Sequence, residues 1–204
     1  MTTMVPAADV LSESRQLIAT IERLREELPF ADNILAIHRP THQELESTQA
    51  RSAQAVTAWR EALAQRWDAE VAGRRIYKRI IRQIAEHYGS SAAPEVQALT
   101  RGEAEANSSP AELLADLRRL QAAFSIGTEA LRCAREHLPE LAHACATLEA
   151  AIAEASRCET QRRNAALDSR IASEAYRRAR AETRRLLAEH YGEHMASRLG
   201  GLLK

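Results

Sequence analysis

Histidines and carboxylates at helical spacing are the first residues to weigh for chemistry. His38 and His42 are four apart, and so are His190 and His194. On a continuous helix that spacing puts two imidazoles on one face, the arrangement a zinc or nickel site uses. Pro40 lies inside the first pair and Gly192 inside the second. Both predict a break in the helix that would part the rings. Glu140-Leu141-Ala142-His143 is a Glu-x-x-His sequence. A di-iron carboxylate bundle needs two of these on two helices, with two further Glu facing them, and a second does not occur in the chain. A metal-carboxylate enzyme is therefore the third reading in order, and the expectation is no metal and no cofactor.

A repeated pentapeptide offers another histidine pair. Ala85-Glu86-His87-Tyr88-Gly89 recurs as Ala188-Glu189-His190-Tyr191-Gly192, 103 residues further on. His87 and His190 would make a symmetric pair for a metal or a proton. The same residues also form a helix end: a histidine suits the negative C-terminus of a helix, the tyrosine packs on a neighbour, and the glycine supplies the positive φ of a C-terminal cap. The helix-end reading is preferred. Recognised catalytic signatures are missing: there is no Gly-x-Ser-x-Gly, no phosphate-cradling glycine loop and no His-Glu-x-x-His.

The arginines carry more information. Arg74, Arg75, Lys78, Arg79 and Arg82 are spaced to share one helical face, and no acidic residue falls between Gly73 and Gln83. At the corresponding place in the second half stand Arg177, Arg178, Arg184 and Arg185, with Arg180 nearby and Glu182 as a partial offset. Such faces would bind phosphate, nucleic acid or an acidic partner protein. The competing reading is a solvated face paired with acidic residues of neighbouring helices, such as Glu22, Glu26, Glu27 or Asp116. Trp59 and Trp67, eight apart near Leu63, form a core stripe or a groove for a partner helix.

The elements that must position these residues are helices. Apolar residues make up 45% of the 204-residue chain and charged residues 27%, which excludes wholesale disorder. Ala, Leu, Glu, Arg and Gln dominate, all strong helix formers, and the predicted class is all-α. Lys and Arg together number 28, as do Asp and Glu. A global pull toward polyanions is therefore absent, and only local patches remain. The three cysteines, Cys133, Cys145 and Cys158, show no CxxC spacing. That argues against a disulfide framework or zinc knuckle and for small core residues in a reducing, cytoplasmic setting. The sequence predicts no secretory signal at the N-terminus and no membrane span.

Apolar spacing predicts a first helix from about Asp9, interrupted at Pro29, where either a kink occurs or a short helix begins. His38-Arg39-Pro40 reads as a break, and Thr41–Glu44 as a capping box opening a long helix to about Tyr88. Its inward face would carry Leu45, Val56, Trp59, Leu63, Trp67, Tyr77, Ile80, Ile81, Ile84 and Tyr88. Ser109-Pro110-Ala111-Glu112 is a strong helix start. After Pro139 a second long helix should run to about Tyr191, with Leu141, Leu148, Ile152, Leu167, Ile171, Tyr176, Leu186 and Leu187 inward and Gly192 closing it.

Residues 8–89 align without gaps on 111–192, with roughly three in ten pairs identical, so the chain reads as a tandem duplication. The predicted architecture is an antiparallel helical bundle of two helical-hairpin repeats, each a shorter helix followed by a long one. Its parts are a flexible N-terminus (1–8), repeat 1 (9–89), a linker with a short helix (90–109), repeat 2 (110–192) and a C-terminal tail with a short helix (193–204). Within that tail, Arg198-Leu199-Gly200-Gly201-Leu202-Leu203-Lys204 resembles, over seven residues, the targeting peptides of encapsulin cargo proteins; the same tail aligns with the linker helix. The leading functional expectation is a non-enzymatic bundle acting by protein–protein contact or self-association, as a scaffold, adaptor or assembly subunit. The runner-up is an anion or nucleic-acid binder using the paired basic faces.

Overall fold

The computed structural model describes the backbone of residues 7–28, 30–100, 109–126 and 136–200, and the side chains of 10–28, 30–100, 109–125 and 136–190. The described residues form five helices and no strand: α1 (Ala7–Arg23), α2 (Ala31–Tyr88), α3 (Pro94–Thr100), α4 (Pro110–Ile126) and α5 (Leu138–Gly200). The chain divides into two compact units. The first comprises Met1–Val56 and Gln161–Lys204, the second Thr57–Thr160. Each long helix therefore begins in one unit and ends in the other, so the units cut across the hairpins that the sequence suggests.

In the first unit, Val10, Leu17 and Ile21 of α1 pack with Ala31, Ile34, Leu35 and Leu45 of α2 and with Ala172, Tyr176 and Leu187 of α5. These are the residues three, four and seven apart that line one side of a helix. In the second unit, Tyr77, Ile80 and Ile84 of α2 meet Val96 and Leu99 of α3, Leu113, Leu117, Leu120 and Phe124 of α4, and Leu141 and Leu148 of α5. Several buried positions recur at the 103-residue offset, although others, such as Ile81 with exposed Arg184, do not. Val10 and Leu113, Ser14 and Leu117, Leu17 and Leu120, Ile21 and Phe124, Leu45 and Leu148, Ala69 and Ala172, and Ile84 and Leu187 are all buried.

Local signals account for several boundaries. The Ser109 hydroxyl accepts from the Glu112 amide at 3.2 Å, and the Glu112 carboxylate accepts from the Ser109 amide at 3.2 Å. This capping box starts α4. Pro139 lies in the first turn of α5, where a missing N–H leaves no helical bond unmade. Gly89 has φ +75° and ends α2, a backbone conformation that favours glycine.

Three boundaries differ from the sequence expectation. Pro40 does not break the chain: α2 is continuous through it. Its ring and the residue one turn back, Ala36, both face solvent, so water can satisfy the carbonyl that Pro40 leaves without a donor. Thr41 caps nothing, because its hydroxyl donates back to the Ile37 carbonyl at 2.7 Å, as a mid-helix threonine does. Gly192 does not close α5, which continues to Gly200. Gly89 is followed five residues later by Pro94, which cannot continue a helix, whereas Glu193–Arg198 contains only residues that a helix accepts. Pro29, Leu131, Cys133 and residues 201–204 of the tail lie outside the described residues.

Candidate functional site

The outward side of α2 in the second unit collects the most unusual surface. Trp67 is 61% exposed and Val71, one turn on, is 38% exposed. Trp67 was expected to lie inward with the apolar stripe; the packing side is instead taken by Ala69, Gly73, Tyr77 and Ile80. Arg75, Lys78, Arg79 and Arg82 continue the exposed side past Val71. Spacings of three and four keep them on one face, over roughly 22 Å from Trp67 to Arg82 at 1.5 Å per residue. Arg75 and Arg82 make no ion pair among the described residues, while Arg79 pairs with Glu140 of α5.

Arg74 plays a different part. It is half-buried and, with Arg66, brackets the buried carboxylate of Glu70: Arg66 Nε lies 3.1 Å from one oxygen and an Arg74 terminal nitrogen 3.2 Å from the other. Spacings of four on either side place all three on one strip of α2. The Glu70 side chain is only 5% exposed, and each of its oxygens is met by a guanidinium group, as a buried carboxylate requires. Arg74 thus belongs to a structural triad, and Glu70 is a residue that sequence inspection passed over.

Trp59 is half-buried and packs on the small cluster of Ala62, Ala155 and Cys158. The two tryptophans of the chain therefore differ in role. In the first unit, Arg177, Arg180 and Arg184 line an open groove of about 240 Å³ on α5. Arg180 is held by Glu13 of α1 at 2.8 Å, and Arg185 leans toward Glu189 at 3.7 Å. Arg177, Arg178 and Arg184 are exposed. The groove has room for a small anion. Another cleft, of about 250 Å³, is bounded by Phe30 just before α2, by Ile34 and Ile37 at the start of α2, and by Leu186 and His190 of α5. In the sequence, Phe30, Ile34 and Ile37 belong to the apolar stripe that resumes after Pro29.

No group of three or more His, Cys, Asp or Glu among the described residues is arranged to hold a metal ion. Because α2 continues through Pro40, His38 and His42 do share a helical face, contrary to expectation. Each spends a ring nitrogen on a hydroxyl: His38 Nε2 lies 2.8 Å from Thr183 Oγ1 and His42 Nδ1 lies 3.1 Å from Ser14 Oγ. His143 and His87 are exposed, and His190 stands edge-on to Phe30. The side chain of His194 lies outside the described residues. Glu140 takes Arg79 as its partner. Cys145 and Cys158 are buried free thiols, and burial pushes both upward in pKa, away from the reactive thiolate.

No helix among the described residues is long and apolar enough to cross a membrane. Compared with protein-family models, with curated proteins and with solved structures, the chain matches none.

Proposed function

We propose that the protein works by protein–protein contact rather than catalysis, and that the outward side of α2 takes an acidic, amphipathic helical segment of a partner. The observation that carries this is the exposure of Trp67 (61%) beside Val71, immediately followed by exposed Arg75 and Arg82. Tryptophan and arginine are the residues that dominate binding energy at interfaces. An apolar anchor with a basic continuation complements a helix that is apolar on one side and acidic on its flank. We also read the chain as two tandem hairpin repeats, a reading supported by the recurrence of buried positions at the 103-residue offset.

The runner-up occupant is nucleic acid, for which the same arginines and the exposed indole would serve. Against it, the chain is neutral overall, and Asp68 and Glu86 are exposed at the two ends of the basic stretch. A Trp59→Phe protein leaves Trp67 as the sole indole reporter. Titration with a designed Leu/Glu amphipathic peptide should shift its emission to the blue. Trp67→Ser should weaken binding of the dye-labelled peptide about tenfold or more, and Arg75→Glu with Arg82→Glu should do likewise. If neither changes the affinity, the face is not the docking surface. If heparin or duplex DNA binds with a steep salt slope that the arginine pair alone abolishes, the nucleic-acid reading replaces it.

A further inference from the structure

A polar layer crosses the first unit where the second unit is apolar. His38 is 1% exposed and Thr183 1% exposed, and they are joined at 2.8 Å. Ser14 is fully buried, and Tyr176 is 1% exposed, with its ring set against that of His38 at 6.0 Å and 74°. At the 103-residue offset the counterparts of Ser14, His38 and Thr183 are Leu117, Leu141 and Ile80, each 0% exposed. The counterpart of Tyr176 is Gly73, whose backbone sits against Leu117. Packing therefore does not require polarity at these positions, because the same positions elsewhere in the chain are filled by Leu and Ile.

The layer is incompletely satisfied. His38 Nδ1 is buried and has no hydrogen-bond partner. A neutral imidazole has one donor and one acceptor nitrogen; a protonated one has two donors. Among the described residues only Thr183 is placed to meet either nitrogen, so an imidazolium would leave one N–H unmatched inside a packed core. Among the described residues, the surrounding charges offer it no carboxylate. On α1 and α5, Glu13 is taken by Arg180 at 2.8 Å; between α1 and α2, Glu22 is taken by Arg39 at 2.7 Å; His42, one turn along α2, is bonded to Ser14. Tyr176 is neutral at ordinary pH, since burial pushes its phenol up to about 12.

We propose that His38 is an acid-sensitive latch: its protonation releases the part of α5 from Gln161 onward from α1 and the start of α2 and opens the first unit, leaving the second closed. Desolvation alone lowers the pKa of His38 from an ordinary 6.5, and the sign follows. The opened chain takes up the proton near 6.5, the closed one only at lower pH. The latch is therefore fully closed above pH 6.5 and weakens as pH falls toward the depressed value.

Hydrogen–deuterium exchange on the whole chain, corrected for the pH dependence of intrinsic exchange, tests this. Between pH 7.5 and 5.5, peptides from 10–56 and 161–190 should lose protection severalfold, while peptides from 57–100 and 109–125 hold theirs. His38→Leu with Thr183→Ile, which copies the apolar pair of the second unit, should flatten the response. His42→Gln should leave it unchanged. Should the double variant fail to fold, His38→Gln serves, since its amide can keep one bond to Thr183 without titrating. Equal loss in both units, or an acid response that survives removal of His38, would overturn the proposal.

Discussion

Trp59 and Trp67 lie two turns apart on α2, yet one packs on Ala62, Ala155 and Cys158 while the other is 61% exposed. Eight residues do not close a whole number of helical turns, so the second indole has rotated away from the packing side. Truncation should separate them. Trp59→Ala should cost about 2 kcal/mol in urea denaturation, a cavity partly relieved by its half-buried setting. Trp67→Ser should fall within about 0.5 kcal/mol of the parent protein. Equal losses would mean that Trp67 is covered in solution.

The Arg66–Glu70–Arg74 bracket predicts a strong asymmetry. Arg66→Ala with Arg74→Ala strands a buried carboxylate and should cost about 3 kcal/mol, because a buried charge that loses its partners keeps its desolvation penalty. Glu70→Leu, which removes that charge and leaves two arginines able to reach water, should cost far less. Denaturation midpoints of the two variants measure this, and equal costs would contradict it.

Tyr176 predicts an alkaline limit. Its phenol ionises near 10 when the chain is open and near 12 when it is buried. The unfolded chain releases this proton first, so stability is intact below pH 10 and falls as pH rises toward 12, by about 2–3 kcal/mol. The phenolate absorbance of the parent protein minus that of Tyr176→Phe should show a component with its midpoint well above 10. A difference curve centred at 10 would place the ring in water.

Two glycines should fail for different reasons. A Cβ at Gly73 would lie 3.2 Å from Leu117 Cδ1 and 3.4 Å from Leu113 Cδ2. Gly73→Leu should therefore overpack the α2–α4 contact and cost about 1–3 kcal/mol. At Gly89 nothing lies within 4 Å, but φ is +75°. Gly89→Ala should cost about 1 kcal/mol through backbone strain alone, while Gly89→Asn, which tolerates that conformation better, should recover part of it. Thermal midpoints of the three variants give the ranking.

Helix content and several ends were legible in the chain because their causes act within a turn or two. Ala-, Leu-, Glu- and Arg-rich composition makes helices, Ser109 with Glu112 starts one, and Gly89 with Pro94 stops one. The core faces were legible as spacings too: Val10, Leu17 and Ile21 recur as Leu113, Leu120 and Phe124. Tertiary structure decided what those signals cannot reach. Pro40 is accommodated because its side of α2 faces water. Leu167 and Ile171, expected inward, are 54% and 55% exposed. His38 is buried although its residue type favours neither surface nor core. The physical reason is common to all three. A long helix has no single inward side; each stretch is covered by whichever helix lies against it, α1 and the end of α5 for the start of α2, α3, α4 and the start of α5 for its end. Periodicity determines which residues share a face, and only packing determines which face is inside.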